Sequence, residues 1–239
     1  MGTGSGARLR NLFFSLLLLP PCSPPVHSLS FPIVPSTAIE ARDLAKSYGG
    51  PPLFSKLSLR AETGLTAVKG RNGSGKTTLL KILAGLLRPD AGSVRVDRAG
   101  TRISGETLRL AVGWAGQDLN FYEDLTAREN LTFFQRAAGA SADTGEIRRR
   151  LEEVDLAHAA DQRIGGFSTG MMQRLRVAFA MLFDPPILLL DEPMAGLDLP
   201  GRELVARLIA DRRRSGAVFL ASNDERDFVQ PDQVFSLGQ

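Results

Sequence analysis

Residues 64–86 constrain this chain more than any other stretch. Gly64–Lys69 reads as a short apolar strand, and it runs straight into Gly70-Arg71-Asn72-Gly73-Ser74-Gly75-Lys76-Thr77-Thr78. A helix is predicted from Lys76 to about Leu86, with apolar residues at Leu79, Leu80, Ile82 and Leu83. The loop fits the pattern G-x-x-x-x-G-K-[ST]. Its glycines let the backbone wrap an anion with N–H groups turned inward. The helix behind it presents unpaired donors and a positive dipole end to the same anion. The predicted phosphate contacts are Gly70, Asn72, Gly73, Ser74, Gly75, Lys76, Thr77 and Thr78. Lys76 would supply charge to the β and γ phosphates, and Thr77 a hydroxyl to Mg²⁺. A plain glycine-rich turn is the competing reading, but the strand before and the helix after it favour a phosphate loop.

The surrounding pattern fits an α/β fold. Ile39–Leu44 and Leu53–Arg60 alternate apolar and polar residues, as half-buried strands do. Ser93–Asp97 and Leu110–Ala115 read as further strands. Residues 126–183 turn helical, with Ile147, Leu151 and Val154 on one face. Arg148-Arg149-Arg150 beside them reads as solvated surface. Ile187–Leu190 is a run of consecutive apolar residues, suited to a strand covered on both faces. Leu204–Arg213 reads as a helix, with strands at Ala217–Ala221 and Val234–Leu237. The fold expected is an α/β phosphate-loop core, its sheet flanked by helices. A mostly helical insert lies between two of its strands. Asp191 and Glu192 follow the buried strand, at the end where ligands sit in open α/β sheets. Asp191 is a predicted Mg²⁺ partner and Glu192 a predicted base for the attacking water.

Composition excludes other chemistries. The chain has 239 residues, one Cys and two His, so an internal disulfide and a Cys/His zinc cluster are out of reach. No apolar run reaches the roughly 18 residues of a membrane helix. The formal net charge is +3, and Arg8 and Arg10 precede the first acid, Glu40. Most of the excess therefore lies in the leader, and no nucleic-acid partner is expected. Residues 1–37 combine those arginines, the apolar Leu12–Leu19 and a proline-rich stretch. They read as a targeting leader or a start assigned too far upstream, and as unstructured. The folded domain is expected over 38–239.

These motifs together resemble the nucleotide-binding subunit of ATP-binding cassette (ABC) transporters over about residues 38–239. The resemblance implies a mixed core sheet flanked by helices, a helical subdomain at about 118–183, an N-terminal antiparallel β portion and further site residues. Tyr48 falls where that family places an aromatic on adenine. Gln117 falls where it has a glutamine touching Mg²⁺ and the catalytic water. Phe167-Ser168-Thr169-Gly170-Met171-Met172-Gln173-Arg174-Leu175 resembles the family signature, so Ser168, Thr169, Gly170 and Met171 would grip ATP held by a partner subunit. Asp198 would lie in the loop crossing the dimer interface. The family usually carries a γ-phosphate histidine where this chain has Asn223. An Asn amide donates a hydrogen bond but takes up no proton. Binding is therefore expected to survive and hydrolysis to slow; the second reading is that hydrolysis rests on Glu192 alone and is near normal.

The resemblance implies an ATPase using ATP and Mg²⁺, working as a homo- or heterodimer on a separate polytopic permease. Its place would be peripheral, at the cytoplasmic face of the membrane, with the leader leaving organelle targeting open. Phe121, Tyr122 and the following helix would form the docking groove, or else local core. The chain is similar to haem-exporter ATPases of cytochrome c maturation and to multidrug exporters. Two alternatives stay open: a binding-only or slow regulatory cassette, because of Asn223, and a non-transport ABC ATPase.

Overall fold

The computed structural model describes residues 37–103 and 106–238, so the leader reading lies outside the described residues. Two sheets carry the fold. The first is antiparallel, in the order β2-β1-β4-β5, from β1 (Thr37–Lys46), β2 (Phe54–Ala61), β4 (Ala91–Arg98) and β5 (Thr101–Ile103). The second runs β6-β7-β8-β3-β9 with every pairing parallel. Its strands are β3 (Gly64–Lys69), β6 (Val112–Ala115), β7 (Ile187–Asp191), β8 (Ala217–Ala221) and β9 (Gln233–Ser236). The core sheet, expected to be mixed, is wholly parallel, and the expected antiparallel portion forms a sheet of its own.

The alternation of side chains along each strand divides the core in two. Leu188, Leu190, Val218 and Leu220 face α3 (Ala127–Ala137), α4 (Thr144–Glu153), α5 (Thr169–Ala180) and α6 (Leu199–Arg212). Ile187, Leu189, Phe219 and Ala221 face the other way, onto α1 (Lys76–Leu83) and the antiparallel sheet through Leu79, Leu83, Ile39 and Val96. Both faces of β7 and β8 are covered, which explains their unbroken apolar runs.

The structure moves several boundaries. The strand expected at Leu110–Ala115 begins two residues later, because α2 (Glu106–Ala111) occupies the preceding turn. A short apolar run does not distinguish helix from strand by itself. Helix α1 ends at Leu83, short of Leu86. Gly85 adopts φ +70° there and its amide bonds the Ile82 carbonyl, while the Leu86 amide returns to Lys81. Helix α6 begins at Leu199 rather than Leu204, since Asp198 caps it by accepting from the Gly201 amide at 3.0 Å. Arg150, expected on a solvated face, is buried with 2% exposure and pairs with Glu146, Glu153 and Asp184. Strand β5 was not anticipated.

Candidate active site

Strand β3 delivers the glycine-rich loop to the C-terminal edge of the parallel sheet, and α1 leaves from it. The turn depends on its glycines. Gly75 has φ +100°, and a Cβ there would sit 2.7 Å from Leu53. A Cβ on Gly70 would meet Ser74 Oγ at 2.4 Å. Lys76 folds back over the loop and is 6% exposed. Its ammonium donates to the carbonyls of Gly70 at 2.8 Å and Arg71 at 3.3 Å, and to Asn223 Oδ1 at 2.7 Å. Three acceptors keep the buried cation in place.

Strand β7 carries Asp191 to the same edge. Thr77 Oγ1 donates to Asp191 Oδ2 at 2.6 Å. Burial pushes the Asp191 carboxyl above the usual carboxylate range, with the Thr77 hydrogen bond opposing. A hydroxyl and a buried carboxylate are hard oxygen donors. They suit Mg²⁺, which takes few protein ligands and completes its octahedron with water and phosphate oxygens. Among the described residues no group of three His, Cys, Asp or Glu side chains offers a closed metal cage instead.

Glu192 follows at φ +52°, a conformation uncommon for a non-glycine residue. Its amide bonds the Ala221 carbonyl at 2.8 Å, and its own carbonyl accepts from Gln173 Nε2 at 3.0 Å. The carboxylate lies near Ser222 Oγ, 3.1 Å from Oε2, and also accepts from the Asn223 amide. Its Oε1 is buried and accepts from no described residue. Burial raises this carboxyl too, against the pull of Ser222 and Asn223. A carboxylate with one oxygen anchored and the other unengaged, beside a lysine aimed into a phosphate loop, is suited to orienting a water.

The other predicted residues are distributed as follows. Tyr48 lies beside the loop: its hydroxyl is 3.4 Å from Thr78 Oγ1 and its ring is 67% exposed. Gln117 is exposed beyond β6. Its carbonyl accepts from Arg176 Nη2 at 3.3 Å, and its side chain makes no hydrogen bond with another described residue. Ser168 caps α5 by accepting from the Met171 amide at 3.2 Å. That amide is therefore engaged, and the Met171 side chain packs on the core. Thr169 and Gly170 start α5 against the Asp198 loop, where a Cβ on Gly196 would lie 2.8 Å from Thr169. Phe121 belongs to local core, edge-on to Phe134 at 6.0 Å and Phe179 at 5.9 Å, whereas Tyr122 is exposed.

Gln173, Ser222, Asp227 and Arg202 are site-supporting residues that sequence reasoning did not single out. Gln173 was visible only as part of the signature-like stretch. Arg202 reaches Asp224 at 3.0 Å and Asp227 at 2.5 Å from a helix far away in sequence.

Parallel sheet, phosphate loop, buried Asp191 and half-buried Glu192 define a phosphate-loop nucleotide-hydrolysing protein. The chain belongs to the ABC transporter family, whose pattern matches residues 54–195, and is an ATP-binding, ATP-hydrolysing subunit of that kind. It is 38% identical over 185 residues to the cytochrome c biogenesis ATP-binding export protein CcmA of Brucella abortus, covering 77% of this chain and 84% of that one. It is 35% identical to the bacitracin transport ATP-binding protein BcrA of Bacillus licheniformis, covering 79% of this chain and 62% of that one. A solved ATP-binding subunit of an ABC transporter superposes with a TM-score of 0.71 at 27% identity, covering 83% of this chain and 85% of that one. No helix among the described residues is long and apolar enough to cross a membrane.

Proposed function

We propose that this chain powers an exporter. Two cassettes, either two copies or one copy and a paralogue, would close over ATP and dock on a separate permease at the cytoplasmic face of the membrane. Residues 38–239 form the cassette, with the helical portion at about 118–183 as the part that meets the permease through exposed Tyr122. Lys76 and the loop amides bind the β and γ phosphates, with Tyr48 beside the adenine. Thr77 and Asp191, with Gln117, would hold Mg²⁺, which neutralises charge on the phosphate oxygens when bound. Glu192 orients and deprotonates the attacking water, and Asn223 contributes an amide where a histidine would titrate. Ser168 and the first amides of α5 at Thr169, Gly170 and Met171 face the partner's ATP, and Asp198 lies at the junction. Of these, the Met171 contribution is the weakest, because its amide is already held by Ser168.

The observation that carries this reading is the meeting of Lys76, Thr77, Asp191, Glu192 and Asn223 at one sheet edge. Haem or a multidrug-type compound is the proposed cargo class, on the motif resemblance; the relatives' names give cytochrome c biogenesis export and bacitracin transport. The test is ATP hydrolysis by the purified chain, alone and with its permease in liposomes. Hydrolysis that rises with the permease, with cargo moving outward, is expected. Hydrolysis indifferent to any membrane protein would reject the transport role.

A further inference from the structure

Ser222 is buried between β8 and the loop that carries Asn223. Its hydroxyl oxygen lies 2.6 Å from Asp227 Oδ2 and 3.1 Å from Glu192 Oε2, and it accepts from the Asp224 amide at 3.0 Å. A serine hydroxyl has one hydrogen and here has two carboxylates within reach. The Asp227 carboxylate is buried and holds a second partner, because Arg202 Nη2 donates to its Oδ1 at 2.5 Å. When the hydroxyl turns toward Glu192, Asp227 therefore remains paired with a cation. The same guanidinium reaches Asp224 Oδ2 at 3.0 Å, and Asp224 is the residue whose amide pins the hydroxyl oxygen. The Asp224 amide thus pins the Ser222 oxygen, Arg202 ties Asp224 to Asp227, and Ser222 reaches one oxygen of Glu192.

We propose that Ser222, its oxygen pinned by the Asp224 amide and its competing acceptor Asp227 engaged by Arg202, is a positioning residue for Glu192, and that this array orients the glutamate where no histidine is available. The inference rests on the reading of Glu192 as the base. Holding Oε2 leaves Oε1, buried and without a described partner, as the oxygen able to accept from a bound water, and a small loss of that orientation is costly in rate. Ser222 is 3% exposed and its contacts are to protein groups, so it is expected to govern the chemical step without governing affinity.

The test uses the full chain, measuring ATP hydrolysis against ATP concentration together with thermal unfolding. Ser222→Ala is expected to lower kcat about tenfold with KM unchanged within about twofold. Ser222→Thr, which keeps the hydroxyl, is expected to restore most of the rate. Should the alanine form not fold, Ser222→Cys, similar in shape and a weak donor, is expected to show the same split. An unchanged kcat, a KM that rises in step with the fall in kcat, or a threonine form as slow as alanine overturns the proposal. Glu192→Gln separates the two readings. If it binds ATP but does not hydrolyse it while Ser222→Ala is normal, the positioning role alone fails. If Glu192→Gln hydrolyses normally, the base assignment fails and the positioning role with it.

Discussion

The Lys76 ammonium donates to the side-chain carbonyl of Asn223 at 2.7 Å, joining two residues 147 positions apart in sequence. The asparagine carbonyl is a neutral acceptor to the one buried cation described at the phosphate loop, and its amide remains available as a donor. An imidazole would offer a group able to carry a proton; this amide does not.

Asn223→His is therefore expected to speed single-turnover hydrolysis while ATP affinity changes little. Rapid-quench measurement of phosphate formation checks this. An unchanged rate would mean that Glu192 alone sets the chemical step. Lys76→Ala, by contrast, is expected to weaken ATP binding by more than tenfold, read by titration with a fluorescent nucleotide, since it removes the charge aimed at the phosphates.

Gln173 holds the Glu192 carbonyl in a left-handed turn. Gln173→Leu removes one of two donors to that carbonyl, the Ala195 amide at 3.2 Å remaining, at a cost of about 0.5–1.5 kcal/mol. Urea denaturation is expected to show this loss, and hydrolysis is expected to slow while ATP binding persists. Equal stability of the two proteins would remove Gln173 from this role.

Burial raises the Glu192 carboxyl, and the hydrogen bonds from Ser222 and the Asn223 amide only partly oppose it. An acid with a raised folded pKa holds its proton more tightly when folded. Its stabilising share is present at low pH and is lost as pH rises from about 4.3 through the raised value. Without divalent cation, wild type is expected to lose stability across that window and Glu192→Gln to lose less. The variant then melts at higher temperature near neutral pH. Asp191, raised in the same direction, is common to both proteins, so the difference between the melting curves reports Glu192. Parallel curves would contradict the expectation.

Arg150 bonds Glu146 at 2.6 Å, Glu153 at 2.9 Å and Asp184 at 3.0 Å, and Asp184 is shared with Arg212. The network ties α4 to the segment entering β7 and to α6. Arg150→Met is expected to destabilise the fold by about 1–2 kcal/mol, because Glu146 and Glu153 then keep only Arg149 and Asp184 only Arg212 as cation partners. Arg150→Lys is expected to recover little, since an ammonium does not reproduce the guanidinium fork. Denaturant titration of both variants measures this.

Elements governed by neighbours in sequence were legible before the structure. The strand, loop and helix at Gly64–Leu83 follow from glycine freedom, apolar spacing and the lysine that ends the loop, all within a few turns of chain. The apolar runs of β7 and β8 announced strands covered on both faces. The boundary of α2 and β6 was not legible, because a short apolar run satisfies both periods, and Arg150 looked like surface because its three carboxylate partners come partly from another element. Thr77 meeting Asp191, Lys76 meeting Asn223 and Ser222 standing between Glu192 and Asp227 are contacts that the order of strands β7, β8 and β3 creates. Residue type and spacing determined which chemistry the chain carries. Only the parallel sheet, by bringing three strand ends to one edge, decided which side chains share a hydrogen bond, because those distances are set by tertiary packing and not by separation along the chain.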